Sequence, residues 1–541
     1  MTSPDYDEAT SFLGEWGPFQ LSIFILLSLS TVPNGYTGMA MVFLADTPRY
    51  RCKTSHLNLT SANFSLTDDH KESSCFQDQL LINTTTGGSN DTRVCTDGWV
   101  YSTERYDSTV VTEWDLVCED DWKVPFSLSI FFLGVLSGSF ISGELSDRFG
   151  RKVVLFGTMA VQTLSSLVQV ASVSWEMFCV FFFFTGIGQI SNYMAAFVLG
   201  CELLGRELRV VYSVLGTCVF YALGYALLPL CAYLVRSWRL LLAVLALPGL
   251  LYIPLWWFIP ESPRWLLAKG RVKEAEDIIK AAAKKNGITP PEVIFKDSDL
   301  LIPEKTQAKS SEVSYTFMDL IRTTKMRNIT LLNSVVWFII TITYFGLSLS
   351  TPNMNGDPYL NCLLSALMEL VAYVMAWLLL KLMPRRALIT GPLLTAGLVL
   401  LLIHAVPSEY SAWSVALAMG AKLGVTAAFS VLYISAVEQF PTVVRGMGMG
   451  VCSMCSKAGS TIAPFFPYLG HYDRILPYIV MGALTVLAGL LSVLMPETRG
   501  TPLPEDLSQV QTLNWCCGCC TPSCSGESLK GKKTHRLQPT V

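Results

Sequence analysis

The sequence predicts an all-α membrane protein: twelve transmembrane helices in two six-helix repeats, with a large extracellular loop after the first helix. Three observations predict it. Of 541 residues, 51% are hydrophobic and 15% charged, with a mean hydropathy of +0.43, a balance foreign to soluble domains. Apolar runs close to bilayer-spanning length, such as Phe126 to Ile141 and Val153 to Val170, follow one another along the chain, parted by short polar joints such as Gly143 to Lys152. Landmarks also repeat. Glu202 and Arg209 recur as Glu438 and Arg445, and Pro260-Glu261-Ser262 as Pro496-Glu497-Thr498, all at an offset of 236 residues. Two copies of one membrane unit lie head to tail, as in transporters built from parallel repeats.

Residues 1–18 form a polar leader. The run Phe19 to Leu44 follows acidic rather than basic residues and lacks a cleavage site, so it reads as the first span and not as a signal peptide. Pro33-Asn34-Gly35 interrupts it. A break inside lipid must face protein or a water-filled cavity, so Asn34 is either part of a tolerated kink or part of an ion or substrate site. Residues 45–123 carry four glycosylation acceptors, Asn58, Asn63, Asn83 and Asn90, together with Cys52, Cys75, Cys95 and Cys118. Acceptors and an even cysteine count belong to an oxidising, extracellular compartment. Two disulfides are expected, in any of three pairings.

Further spans are expected near 126–145, 153–172, 177–201, 210–234 and 239–259, completing a first bundle over 19–259. An even count returns the chain to the cytoplasm. The segment 260–328 is then a cytoplasmic linker, in which Arg264 to Asn286 has the spacing of an amphipathic helix. The second bundle, 329–495, gives spans near 329–349, 359–382, 387–406, 411–437, 446–469 and 474–495. Short inner loops carry Arg148, Arg151, Lys152, Arg206, Arg209, Arg385, Arg386 and Arg445, as the positive-inside rule requires. Asn328-Ile-Thr matches the acceptor pattern but falls on the inner side. The tail, 496–541, holds Cys516, Cys517, Cys519 and Cys520 beside Trp515, candidates for palmitoylation just inside the membrane or an inert reduced cluster.

Gly143 to Lys152, the two Glu-x6-Arg pairs, Pro260 to Leu266 and Pro496 to Arg499 resemble the major facilitator superfamily, in its sugar-porter-like branch. Phe12-Leu-Gly-Glu-Trp-Gly17, Thr112-Glu-Trp-Asp-Leu-Val-Cys118, Gln189-Ile-Ser-Asn-Tyr193 and Pro441-Thr-Val-Val-Arg445 resemble the organic cation, anion and zwitterion transporters, and within them the organic cation/carnitine subgroup. The likeness runs from about residue 5 to 506. A terminal PDZ ligand, which the resemblance implies, is opposed by Pro539, which stands where Ser or Thr is needed.

Ionisable side chains inside lipid are costly, at least about 2.5–3.5 kcal/mol each unless paired or hydrated, and few occur here. Lys457, halfway along the eleventh span, is a candidate to hold a substrate carboxylate, its alternative being a structural ion pair. The resemblance supports the first, since carnitine-type transporters carry a basic residue there, usually Arg; Lys lacks the bidentate fork. Glu369 and Lys422, at similar depth in the eighth and tenth spans, are expected to form a structural ion pair, the alternative being a role in gating or ion coupling. A quaternary ammonium has no N–H to donate and is met by aromatic faces. Trp337 and Tyr344 lie seven apart and Phe429 and Tyr433 four apart, so each pair shares a helix face. Spacing alone favours ordinary packing; the resemblance implies instead that these four and Tyr193 line the substrate cavity. Gln162, Gln189 and Asn192 add uncharged donors and acceptors, and the resemblance implies sodium at Asn34 with Gln189. Asp147, Arg148, Glu202, Arg209, Glu438 and Arg445 are candidates for a cytoplasmic latch of ion pairs joining the two halves when the cavity faces outward.

The sequence thus points to a plasma-membrane secondary transporter with both termini cytoplasmic, importing carnitine or a similar zwitterion with sodium. The alternative is a sodium-independent carrier of organic cations or of an ergothioneine-type betaine; a non-transporting receptor using the glycosylated loop is more remote. No Gly-x4-Gly-Lys-Ser/Thr loop is present for nucleotide-driven pumping, no nucleophile–base or metal-ligand constellation indicates an enzyme, and no basic face indicates nucleic acid.

Overall fold

The computed structural model describes residues 6, 9–14, 16–53, 75–77, 93–95, 98–291, 294–295, 317–351, 354, 356–407, 410–499 and 504. Asn58, Asn63, Asn83, Asn90, Cys516, Cys517, Cys519, Cys520 and Pro539 lie outside the described residues. Twelve long helical segments form the body. In the first half they are α1 (Pro18–Leu29, Val32–Met39 and Met41–Leu44), α2 (Lys123–Phe149), α3 (Arg151–Val170), α4 (Trp175–Leu203), α5 (Arg206–Val211, Tyr212–Val219 and Phe220–Leu234) and α6 (Trp238–Leu251). In the second they are α7 (Thr324–Leu349), α8 (Pro358–Leu379), α9 (Arg385–Leu402), α10 (Ser411–Gln439), α11 (Arg445–Ile462) and α12 (Leu476–Ser492). Among the described residues, nine helices are long and apolar enough to cross a membrane by length and composition. Of the others, α1 is in pieces, α12 is 17 residues long, and α11 is diluted by Arg445, Lys457 and four glycines.

Two expectations from the sequence are corrected here. The interruption of α1 falls at Ser30 and Thr31, not at Pro33-Asn34-Gly35; Pro33 sits in the first turn of the next helix. Proline offers no N–H and crowds the turn before it, so the helical ladder fails ahead of the ring. The hydroxyls of Ser30 and Thr31 donate back to the carbonyls of Leu27 and Ser28, each at 2.7 Å, satisfying acceptors that the break would strand. Likewise, Gly143 to Lys152 is not a ten-residue joint: α2 runs on to Phe149, and only Gly150, at φ +103°, turns the chain before Arg151 opens α3. Polar residues end the apolar run without ending the helix, and glycine alone adopts that φ without strain.

The repeated landmarks have a common geometry. The Glu261 carboxylate accepts the N–H groups of Arg151 (2.9 Å) and Lys152 (3.1 Å) at the start of α3. Glu497 accepts those of Arg385 (2.9 Å) and Arg386 (3.1 Å) at the start of α9. An anion at a helix amino terminus satisfies orphan donors and the macrodipole together. The arginine so placed then reaches sideways, Arg151 to Glu202 at 3.1 Å and Arg385 to Glu438 at 3.4 Å.

Helix packing obeys the same repeat. In the first half α1 packs on α5, α2 and α3 on α4, and α3 on α6; in the second α7 packs on α11, α8 and α9 on α10, and α9 on α12. Across the halves α2 meets α11 and α5 meets α8, contacts that a two-fold exchange of the halves would interchange. Close approach rests on glycine: a Cβ on Gly35 would run into the Tyr221 carbonyl of α5, and one on Gly224 into the Val32 carbonyl of α1.

At the end bearing the 45–123 insertion, Tyr50–Cys52 pairs antiparallel with Trp99–Tyr101, and Phe76–Gln77 with Arg93–Val94. Disulfides join Cys52 to Cys95 and Cys75 to Cys118. The motif Thr112-Glu113-Trp114 fastens this cap to the bundle. Glu113 accepts from Trp238 Nε1 at 2.6 Å and pairs with Arg239, while Trp114 packs on Phe178 and Trp238. At the opposite end the linker supplies helices Pro263–Ala268 and Val272–Lys285, the second burying Ala275, Ile279, Ala282 and Ala283 along one face. Asn286 accepts the Phe19 N–H at 2.9 Å and donates to Gln20 Oε1 at 2.8 Å, and Trp265 Nε1 donates to the Asp147 carbonyl at 2.9 Å.

Replacing Gly224 by Leu wedges α5 from α1. Overpacking of this kind costs about 1–3 kcal/mol or more, so Gly224→Leu is expected to lower both the amount of folded protein at the cell surface and its melting temperature in detergent, whereas Gly157→Leu, with open space around its Cβ position, leaves both unchanged.

Candidate substrate and ion site

Four of the five candidate aromatics meet where α7 packs on α10. Trp337 lies 4.2 Å from Tyr433 and 5.8 Å from Phe429 between ring centroids, Phe429 lies 5.3 Å from Tyr433, and Tyr344 lies 6.0 Å from Phe429. Their exposure is graded. Trp337 and Tyr344 are buried, Phe429 is half-buried, and Tyr433 is 40% exposed, so the cluster is a wall with one open edge. The buried Trp337 Nε1 has no hydrogen-bond partner among the described residues, a donor that a reading of its ring face alone does not count. The fifth, Tyr193, has its ring contact with Tyr221 of α5, at 6.5 Å.

Lys457 is half-buried on α11, and its ammonium makes no hydrogen bond or ion pair among the described residues. One turn further along α11, the Thr461 carbonyl accepts from Ser129 of α2 at 2.7 Å, at the seam between the halves. The neighbouring Ser456 hydroxyl meets Thr341 of α7 at 2.8 Å, and Thr341 lies one turn from Trp337. Lys457 is therefore an uncompensated cation beneath the closed seam and beside the helix that carries the aromatic wall.

Glu369 and Lys422 lie 3.0 Å apart and are almost completely buried. Tyr344 Oη donates to Glu369 Oε1 at 2.8 Å, which ties the aromatic wall to this pair. Lys422 also donates to Ser365, whose hydroxyl accepts from Tyr225 of α5 at 3.0 Å, and the ammonium sits 4.8 Å from the Tyr225 ring centroid. Glu369 Oε2 has no partner among the described residues. Tyr221, Tyr225 and Ser365 were not singled out by the sequence; the spacing of four between the two tyrosines, on one face of α5, was the available signal.

The polar residues of the first half form a second cluster around the break in α1. Gln189 Nε2 donates to the Asn34 carbonyl at 2.7 Å, Asn34 Nδ2 donates to Asn192 Oδ1 at 3.0 Å, and Asn192 Nδ2 donates to the Leu155 carbonyl at 3.2 Å. Gln162 donates to Thr37 Oγ1 at 3.2 Å. Two buried side-chain oxygens here, Asn34 Oδ1 and Gln162 Oε1, are left without partners. Burying a polar oxygen unsatisfied costs about 1–3 kcal/mol, so each of these oxygens is open to accept from a donor or to face a cation.

The halves close on each other at the insertion end. Phe132 packs on Phe345 at 4.7 Å, Phe43 stacks on Tyr359 at 5.3 Å, and Tyr468 Oη donates to Asp121 at 2.7 Å. At the linker end Asp147 pairs with Arg151 at 2.9 Å, Glu202 with Arg151, and Glu438 with Arg385, each inside its own half. Arg209 donates to the Cys201 carbonyl at 2.7 Å, Arg445 to the Phe440 carbonyl and Thr442 Oγ1, both at 3.2 Å, and Arg148 lies over Phe149. Asp147 and Arg445 do not meet in this conformation.

The chain matches the sugar (and other) transporter family over residues 100–507. It superposes on the inward-open xylose transporter XylE of E. coli with a TM-score of 0.60, at 15% identity, covering 90% of this chain and 98% of the other. The protein belongs to the major facilitator superfamily and is a multi-pass membrane transporter. It is 52% identical over 526 residues to organic cation/carnitine transporter 2 of Rattus norvegicus, covering 94% of each chain, and 50% identical over 527 residues to solute carrier family 22 member 4 of Mus musculus, covering 94% and 95%. Within the superfamily the chain belongs to the organic cation/carnitine transporter group.

Removing one member of a buried ion pair strands the other, at about 3–5 kcal/mol. Lys422→Met or Glu369→Gln alone is therefore expected to reduce folded protein at the surface sharply, and the double variant to restore it, read by surface biotinylation and thermal melting. Equal loss in all three would show that the charges do more than neutralise each other.

Proposed function

We propose that this protein is a sodium-coupled importer of carnitine or a similar quaternary-ammonium zwitterion, working by alternating access in the plasma membrane with both termini cytoplasmic. The observation that carries this reading is the unpaired ammonium of Lys457 beneath the seam, beside an aromatic wall with one open edge. A zwitterion brings the two groups this arrangement lacks. Its carboxylate compensates Lys457, and its quaternary ammonium lies on the faces of Phe429 and Tyr433, each good face contributing about 0.5–2 kcal/mol. The names of the relatives favour the same substrate class. With the seam shut at the insertion end, the conformation is the inward-facing one, and the latch of Asp147, Arg148, Glu202, Arg209, Glu438 and Arg445 belongs to the opposite state.

Sodium is assigned to Asn34, in the first turn of the helix that follows the break in α1. Asn34 Oδ1 supplies a buried oxygen with unused lone pairs, and discontinuous helices are where transporters of this kind of construction hold a cation. Gln189 holds the Asn34 carbonyl in place and fixes the site's shape. One sodium ion with a neutral zwitterion moves one positive charge inward, which gains about 2.3 kcal/mol per 100 mV. That is more than tenfold accumulation before the sodium gradient is added. The glycosylated, disulfide-bonded cap faces the exterior, and the cysteine-rich tail is a site for acylation.

Uptake of labelled L-carnitine into expressing cells is expected to saturate, to require sodium, and to fall at least tenfold in Lys457→Ala at unchanged surface level. Tetraethylammonium carried regardless of sodium, with no carnitine uptake, would move the assignment to a sodium-independent organic-cation or betaine carrier.

A further inference from the structure

A second aromatic cluster lies outside the membrane core, at the insertion end, and includes a carboxylate. Asp46 follows the end of α1 by two residues and is half-buried. Its Oδ2 accepts from the buried Tyr106 hydroxyl at 2.7 Å, and its Oδ1 accepts the Thr47 N–H at 3.0 Å. Above it Tyr359, at the start of α8, inserts its ring among three others. It stacks on Phe43 at 5.3 Å, meets Tyr233 edge-on at 5.6 Å, and lies 6.5 Å from Tyr106. Phe43, Tyr106 and Tyr233 all belong to the first half; Tyr359 belongs to the second. A movement that parts the halves at the insertion end withdraws Tyr359 and leaves the Phe43 face, two further rings and a carboxylate around the space it filled.

A quaternary ammonium is held when ring centroids lie within about 6 Å of it; Phe43 and Tyr233 meet that distance from the centre of the Tyr359 ring, and Tyr106 lies just beyond it at 6.5 Å. We propose that the place occupied by the Tyr359 ring is an outer, first-contact seat for a quaternary ammonium group, vacated as the insertion end opens and refilled by Tyr359 as it closes. The inference rests on the substrate class proposed above. It also gives closure a direction, since Tyr359 and the cation cannot share the seat and the returning ring displaces the substrate inward.

The charged groups facing the seat are Asp46 and Arg105, with Arg236 at the α5–α6 turn and Asp357 ahead of α8. Both arginines are exposed and so partly screened by solvent, whereas Asp46 is flanked by rings; of the two, Arg105 acts on Asp46. Burial raises the Asp46 carboxyl above its ordinary range, against the opposing Tyr106 hydrogen bond and Arg105 charge.

The experiment is uptake of labelled tetraethylammonium, whose charge does not change with pH, measured as KM and maximal rate per surface transporter. Asp46→Asn keeps a hydrogen-bond acceptor and loses the charge; it and Tyr233→Leu are expected to raise KM about three- to tenfold at unchanged maximal rate. Arg105→Gln is expected to lower KM, a change of opposite sign that a merely structural role for Asp46 would not produce. Should Asp46→Asn fail to reach the surface, the wild-type KM is followed against external pH. It should rise as pH falls through the raised range of Asp46, because protonation removes the attraction. Unchanged KM in the variants, or a flat pH profile, overturns the seat while leaving transport itself intact. Wild-type cells that carry neither tetraethylammonium nor carnitine overturn both readings.

Discussion

A charge inside a bilayer must find its partner within the protein, and the architecture of the second half follows from that constraint. Lys422 and Glu369 neutralise each other at 3.0 Å, with Tyr344 completing the carboxylate and Ser365 the ammonium. This fixes the depth and rotation of α7, α8 and α10 together. Because Tyr225 of α5 donates to the same Ser365, the network also reaches across to the first half. Lys457 is the counter-example, since no side chain compensates it among the described residues. A protein that neutralises one intramembrane lysine so completely and leaves another open treats the two differently for a reason, and a cargo with a carboxylate supplies one.

The sequence exposed the repeat but not its partners. A spacing of seven made Glu202 and Arg209 look like one unit, as it did Glu438 and Arg445. The pairs that form are Arg151 with Glu202 and Arg385 with Glu438, about fifty residues apart, and both depend on carboxylates at Glu261 and Glu497 that hold the arginine-bearing helix termini. Spacing within a motif says which residues recur. Which residues touch is decided by a helix amino terminus that only the fold brings near a distant Glu. Gly150 is a similar case, for a one-residue turn between two long helices has no signature in hydropathy, which falls two turns before the helix ends.

The aromatic wall was legible in part for the opposite reason. Trp337 with Tyr344 and Phe429 with Tyr433 are related along single helices, where periodicity is reliable, and the packing of α7 on α10 then joins the pairs. Tyr193 sits on α4, facing α5, and its ring meets Tyr221 there, a contact that its motif does not reveal. Tyr221, Tyr225 and the Phe43–Tyr359 stack carry no motif and depend on contacts between helices far apart in sequence, which is where reading a single chain loses its grip.

The linker residues on either side of and within helix Val272–Lys285 hydrogen-bond to the amino-terminal half. Asn286 grips the start of α1, Lys285 reaches Ser22 at 2.6 Å, Trp265 holds the end of α2, and Glu261 holds the start of α3. The helix is thus a pointer bolted to the amino-terminal bundle, with one face buried and the other exposed. A fluorophore on an exposed position of that helix would report on one bundle and a second on the α8–α9 turn on the other, so a movement of either against its neighbour could be timed from labels that never enter the lipid.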